Sequence, residues 1–254
     1  MADIEDVVVR PHRIEAERLG PHAELDDGLR VFEAPVVEQR DPDPHGFRAI
    51  VLHVIYLIRH GETPGNAARI VQRPEIPLSA RGEAQAERLA RRLASAPIAA
   101  ILSSDLRRAA MTAEPLARAT GTGITFEPLL HERNFGDIRG TAYADLGLDP
   151  FDPDYAPPNG ETWPVFHARV DRAWARIREM AAATRGDLAV VTHGLVCKSL
   201  AGRYLVLPDG EGVPERWENC SVTLVEADAP WRVQLLNCCA HLDGLTATPP
   251  AGIA

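Results

Sequence analysis

Lysine is almost missing from this chain: of its 27 basic residues only Lys198 is not arginine. Arginine therefore does nearly all the basic work, and its planar fork matches phosphate oxygens better than an ammonium does. Cysteine is also scarce. Cys197, Cys220, Cys238 and Cys239 show neither metal-ligand nor redox spacing, which reads as reduced, mostly buried thiols in a cytoplasmic protein. Long apolar runs are absent too. The longest, Ile50–Ile58, contains His53 and suits a buried strand, being too short to span a bilayer. The start, Met1-Ala2-Asp3-Ile4-Glu5-Asp6, is acidic where a secretory signal would be basic. A net charge of −9 makes nucleic acid a poor partner. It does not exclude a phosphate site, because exposed charges are screened beyond about 8 Å in physiological salt, and a local group of arginines then decides.

Residues 1–49 hold 12 acidic and 6 basic side chains and little sustained periodicity, with Asp41-Pro42-Asp43-Pro44 near their end. They read as an N-terminal extension, disordered or loosely packed, with at most short strands such as Leu29–Phe32. From residue 50 the pattern becomes regular. Val54–Ile58, Ile98–Leu102 and Leu188–Thr192 read as buried strands. Ser79 caps a helix to Leu93, Ser104 or Asp105 caps a second, and Thr162 caps a third with Pro164 in its first turn. A helix from Leu195 to Tyr204 follows, and Val222–Glu226 with Arg232–Leu236 suggests a late hairpin. Strands alternating with helices predict an α/β fold, a three-layer α/β/α sandwich on a mainly parallel sheet. The predicted organisation is an extension at 1–49, a domain at 50–240 and a tail at 241–254.

In such sheets, binding sites lie beyond the carboxyl ends of the strands. His60 follows one strand and His193 another, 133 residues later. In Arg59-His60-Gly61 the glycine permits a tight turn and a close approach to a ligand. Ser103-Ser104-Asp105-Leu106-Arg107-Arg108-Ala109 sits at a strand-to-helix junction, where free amides and an arginine face one rim; a simple cap with solvated arginines is the alternative. In Leu130-His131-Glu132-Arg133-Asn134-Phe135-Gly136, Glu132 is either an acid or a solvated loop carboxylate.

Together these segments resemble the histidine phosphatase superfamily, which includes the cofactor-dependent phosphoglycerate mutases. Arg59-His60-Gly61-Glu62-Thr63 with Asn66 resembles its signature, and Pro77-Leu78-Ser79-Ala80-Arg81-Gly82-Glu83-Ala84-Gln85-Ala86 the segment that follows. Ser104 to Ala109 resembles the second arginine motif, Leu130 to Gly140 the acid loop, and His193-Gly194 the second histidine. The likeness runs in family order from Val54 to Glu226. It departs near Gln72, where a glycine is common, and at Glu75, where an aspartate is common; both fall in the substrate-facing loop.

The resemblance implies a phosphoglycerate mutase-like fold and a phosphohistidine mechanism without metal or cofactor. His60 is the implied nucleophile, Glu132 the general acid and base, and Arg59, Arg108 and His193 the groups around the phosphoryl oxygens. Arg108, not Arg107, is placed in the pocket. Gly61, Thr63 (through its amide), Asn66, Arg133 and Gly194 are implied phosphate or substrate contacts. To act first as an acid, Glu132 needs a raised pKa, which a bound phosphate dianion would supply. Glu62 reads as structural and Lys198 as a solvated helix residue. About twenty residues, without arginine or lysine, separate Gly140 from Gly160-Glu161-Thr162, whereas mutases carry a long basic insertion there. That favours a phosphatase acting on a small phosphorylated substrate. A phosphoglycerate mutase and a non-catalytic phosphate-binding module are the alternatives. No nucleic acid or membrane is expected as a partner, and a homodimer is left open.

Overall fold

The computed structural model describes residues 36–40, 47–51 and 53–245, the first two segments by their backbone only. The suggested strand at Leu29–Phe32 lies outside the described residues. Strands β1 (Val36–Arg40) and β2 (Phe47–Val51) form an antiparallel pair of their own. The apolar run Ile50–Ile58 is therefore not one strand. It breaks at His53, and β3 (Val54–Arg59) begins afresh in the main sheet.

After β3 come the short helix α1 (Pro64–Ala67), α2 (Ala80–Leu93), β4 (Ile98–Ser103), α3 (Arg107–Thr120) and β5 (Ile124–Phe126). Then follow α4 (Trp163–Ala183), β6 (Asp187–Thr192), α5 (Gly194–Tyr204), β7 (Val222–Glu226) and β8 (Val233–Cys238). The six strands are ordered β5-β4-β6-β3-β7-β8. The pairs β5/β4, β4/β6 and β6/β3 are parallel; β3/β7 and β7/β8 are antiparallel.

Side chains alternate across each strand, and this separates two cores. Ile55, Leu57, Leu188 and Val190 pack with Phe166, Val170, Trp174 and Ile177 of α4 and Leu200 of α5. Val54, Tyr56, Ile58, Ala189 and Val191 pack on the other face with Leu89 and Leu93 of α2 and Leu116 of α3. The expected three-layer α/β/α sandwich is thus what the chain forms, each fully buried Leu, Ile or Phe contributing about 1.5–3 kcal/mol.

Local signals explain the starts of α1, α2 and α4, whereas α3 and α5 have no side-chain cap. Ser79 Oγ accepts from the Gly82 amide at 3.1 Å, and Thr162 Oγ1 from Val165 at 3.4 Å. Helix α3 differs from expectation: it begins at Arg107 behind Leu106, with no side-chain cap. Ser104 and Asp105 are employed elsewhere, as described below. At the far end of the sheet, buried Asp187 accepts the Val54 amide at 3.0 Å, which fixes the β3/β6 register. The chain after β8 is not a free tail as far as Leu245. A 3-10 turn, Ala240–Leu242, packs on α2, with buried His241 Nδ1 2.6 Å from Arg92. Among the described residues, no helix is long and apolar enough to cross a membrane.

Candidate active site

The register set at Asp187 brings Arg59 beside Thr192, so β3 and β6 end at the same level. The His60 amide donates to Thr192 O at 2.9 Å, and the Ser104 amide to Val191 O at 2.9 Å. Three chain segments therefore leave the sheet together, carrying His60, Ser104 and His193. The two imidazoles are buried with centroids 5.1 Å apart.

Hydrogen bonds define the His60 ring. Nδ1 lies 2.7 Å from Gly61 O, a pure acceptor, so Nδ1 carries the proton and Nε2 keeps its lone pair. Arg108 Nε donates to that Nε2 at 3.3 Å, and its NH1 to Arg73 O at 3.2 Å. Burial, with Arg108 and Arg59 adding their positive charges, holds the His60 pKa well below the usual imidazole range. His193 is lowered in the same way, by burial and then by Arg108. Both rings are neutral at pH 7. His193 Nε2 lies 2.8 Å from Ser104 Oγ, and its Nδ1 has no protein partner.

Arg59 donates through NH1 to Trp217 O and leaves a buried Nε without a protein partner. Burial lowers the Arg108 pKa to about 10, which still leaves a cation at neutral pH. Glu132 opens onto the same cavity. Its carboxylate accepts from the Arg133 amide at 3.0 Å and the Leu195 amide at 3.2 Å. These bonds and the two arginines favour the anion, yet desolvation outweighs them and the pKa is raised. The fold supplies this shift before any phosphate arrives, so a bound dianion is not needed to produce it.

Arg59, His60, Arg108, Glu132 and Gly194 line one cavity of about 1150 Å³, and His193 packs against His60 behind its wall. Asn66 joins the lining; its Oδ1 accepts from Asn219, whose amide also donates to His60 O at 3.0 Å. Three other residues do work different from that expected of them. The Thr63 amide is taken by Asn66 Oδ1 at 3.2 Å in a helix-capping pair, so it does not face a phosphate. The Gly61 amide donates to Thr112 Oγ1 at 3.0 Å, and the close approach that needs glycine is to backbone: a Cβ there would lie 2.7 Å from Gly82 O. The buried Arg133 guanidinium donates to Glu161 O, Pro150 O and Tyr155 O at 2.8–3.0 Å and lies 3.9 Å from the Trp163 ring centroid. It fastens the segment over the cavity with three of its five N–H donors while remaining part of the lining. Glu62 is structural, accepting from Arg81 at 2.7 Å and Ser79 Oγ at 2.9 Å. Gln72, where the family favours glycine, packs against Gly65 and lines the cavity.

The short segment over the cavity presents carbon rather than charge. Tyr143, Leu148, Pro150, Phe151 and Pro153 line the wall, with Tyr143 stacked on Phe151 at 5.7 Å, while Asp145, Asp152 and Asp154 are exposed. Thr112, Asn219 and Tyr143 join the site from outside any motif. Ser104 falls in the segment that resembles the second arginine motif, and its hydroxyl meets His193 instead of acting as the cap residue of α3. Asp105 pairs with His131 instead of capping α3. Lys198, expected in solvent, is exposed but lines the cavity mouth.

The family model for the histidine phosphatase superfamily (branch 1) matches residues 55–238. A relative named probable phosphoglycerate mutase GpmB, from Salmonella arizonae, is 34% identical over 205 residues, covering 74% of this chain and 94% of its own. Among solved structures, a putative α-ribazole-5′-P phosphatase from Escherichia coli superposes with a TM-score of 0.63 at 26% identity, covering 74% of this chain and 97% of its own. A mycobacterial glucosyl-3-phosphoglycerate phosphatase in complex with VO3 superposes with a TM-score of 0.63 at 25% identity, covering 74% of this chain and all of its own.

Proposed function

The chain belongs to the histidine phosphatase superfamily, branch 1, and from that premise we propose that it is a phosphatase hydrolysing a phosphate monoester of a small metabolite through a phosphohistidine on His60. The observation that carries this reading is the His60 ring itself. Its Nδ1 proton is pinned to Gly61 O, and its Nε2 lone pair points toward Arg108 in a cavity shared with Glu132.

In the first step His60 Nε2 attacks phosphorus and the bond to the ester oxygen breaks. The positive charge gained by the ring is shared with Nδ1–H, which strengthens its bond to Gly61 O. Arg59 and Arg108 neutralise the phosphoryl oxygens, and His193 offers its unpartnered Nδ1 edge to the same group. Glu132, whose burial raises its pKa and so favours the acid form, gives a proton to the leaving oxygen. In the second step Glu132 takes a proton from water as the water oxygen attacks phosphorus. The N–P bond breaks, and inorganic phosphate leaves with His60 neutral again. No metal or cofactor is required by this scheme, and the setting we propose is the cytoplasm.

Hydrolysis is preferred over mutase chemistry because the segment from Gly140 to Gly160 brings no basic residue over the site. The mutase reading draws on the name of the Salmonella relative. Rapid-quench labelling with a 32P-labelled aryl phosphate separates the readings. Hydrolysis predicts an acid-labile, base-stable protein label that is absent in His60→Ala and decays to inorganic phosphate. Turnover retained in His60→Ala would sink the mechanism. Activity that depends on a bisphosphoglycerate primer would make the protein a mutase, and phosphate binding without turnover would make it a binding module.

A further inference from the structure

The proposed chemistry uses only part of the charge that lines the cavity. A phosphomonoester dianion is matched by Arg59 and Arg108. His60 and His193 are neutral. Yet the outer wall also carries Arg69, Arg139 and Lys198. Among the described residues, none of the three has a carboxylate within 4 Å; Glu161 and Glu75 act on Arg139 only at longer range. Other cations of the wall are engaged: Arg133 by three carbonyls, Arg203 by Asp171 at 2.7 Å, and Arg216 by Glu218 at 3.6 Å. Beyond Glu132, the acids of the lining are Asp149 and Glu215, and Asp149 Oδ1 accepts the Phe151 amide. In a chain of net charge −9, this mouth is locally inverted in sign.

The three cations are held in place by different elements. Arg69 has a left-handed backbone, φ +54°, which is unfavourable for a side chain other than glycine. It is kept there by bonds on both sides: its amide donates to Asn66 O at 3.3 Å and its carbonyl accepts from the Tyr143 amide at 2.9 Å. Arg139 closes the 3-10 turn Gly136–Ile138, close enough for its charge to act on Arg108. Lys198 lies on α5 one turn past Gly194, on the order of 6 Å further along the helix axis. The cations thus surround the space that the leaving group occupies if phosphorus sits at His60.

We propose that Arg69, Arg139 and Lys198 form a second anion subsite, and that the substrate is a phosphomonoester whose leaving-group portion carries a further carboxylate or phosphate. This rests on the phosphate being bound at His60, as argued above. All three cations come from outside the segment between Gly140 and Gly160, which carries no arginine or lysine.

The test is a binding measurement, so it does not depend on turnover. Propylphosphonate, 3-phosphonopropanoate and propane-1,3-bisphosphonate are titrated calorimetrically into the whole protein and into the double variant Arg69→Gly/Lys198→Ala, in which glycine suits the positive φ. The wild type should bind at least one of the two doubly anionic ligands about ten-fold more tightly than propylphosphonate, three partly exposed cations acting together. Which ligand gains identifies the second group as carboxylate or phosphate. The double variant should lose most of that preference, and 0.5 M salt should compress it in the wild type. Equal affinities in the wild type, or a preference untouched by the double variant, would overturn the subsite. A preference without turnover of any monoester would keep the subsite and overturn the phosphatase reading.

Discussion

Arg169 of α4 holds the acid loop from outside the cavity, and replacing it with alanine tests how much of the Glu132 geometry depends on that grip. Its guanidinium donates to Leu129 O at 2.8 Å, His131 O at 2.7 Å and Glu132 O at 3.3 Å. It also donates to both Glu161 oxygens at 2.7 Å, and Glu161 in turn accepts the Asn134 amide at 2.9 Å. The two side chains are only 12% and 16% exposed. Burial alone would push the Glu161 pKa up, but Arg169, the Asn134 amide and the Arg133 charge outweigh it and hold it below the usual range. Removing one member of a buried pair costs about 3–5 kcal/mol, because the other charge is left unpaired. Arg169→Ala should therefore lower the unfolding free energy by about that amount, seen as a lower urea midpoint at constant m, and a fold of this size should lose on the order of 10 °C in Tm. The Glu132 carboxylate hangs from the amides of Arg133 and Leu195, so freeing carbonyls 129–132 also moves the acid. At temperatures where the variant is folded, kcat for an alkyl phosphate should fall roughly 10–100-fold, with KM changing less because Arg59 and Arg108 are untouched. Arg169→Lys keeps the charge without the fork and should recover stability more than kcat. Adding Glu161→Gln to the alanine variant should cost little more, since it removes the orphaned charge. A stability loss below about 1 kcal/mol, or wild-type kcat in the folded variant, would refute the reasoning.

The pH dependence should follow the buried groups. Glu132 has a raised pKa, so it keeps its proton to higher pH, and kcat on an alkyl phosphate should decline only as pH rises through that raised value; Glu132→Gln should abolish this limb along with most activity. His60 has a lowered pKa, so loss of the nucleophile on acidification should begin well below about 6.5, the ordinary imidazole value. The same lowered values of His60 and His193 mean that the unfolded chain binds more protons below about 6.5, so these two groups withdraw stability on acidification, while the raised Glu132 and Asp187 act in the opposite sense; acidification from about pH 7 to about pH 5 should therefore cost more stability in Glu132→Gln than in the wild type, and equal shifts of the urea midpoint would contradict this. A methyl at Gly82 would lie 2.0 Å from Glu62 O, against 2.7 Å for Gly61 from Gly82 O. Gly82→Ala should thus cost about 3 kcal/mol or more and Gly61→Ala about 1–3 kcal/mol, and the reverse order in thermal unfolding would show that the loop yields more easily than its backbone contacts indicate.

The sheet was legible because its central strands are covered on both faces, and runs such as Leu188–Thr192 have no other explanation. Ser79 and Thr162 were legible as caps because nothing else competes for their hydroxyls in the first turn. Ser104 was misread for the opposite reason: its hydroxyl is engaged by His193, a residue 89 positions away, and local spacing carries no trace of that. Gly61 was rightly seen as a close approach, but sequence does not say to what, and the neighbour is Gly82. Arg133 stands beside the acid and looks like a ligand; only the path of Pro150 and Tyr155 shows where its donors go. Arg69, Arg139 and Lys198 come from three separate segments, and no local pattern shows that they line one cavity.

The pairing of β3 with β6 has a kinetic consequence. Ile55 meets Leu188 across 133 residues of chain, while β4 with β5 and β7 with β8 join near neighbours. β3 also pairs with β7, Val54 meeting Glu226 across 172 residues, so both of its pairings are long-range. Closing such loops demands much entropy before any contact repays it, and local units can assemble while the centre of the sheet is still open. His60 rides on β3 and His193 on β6, so the two imidazoles meet only when that centre closes. During refolding, helical signal should therefore recover before the cavity at the two histidines can bind a ligand.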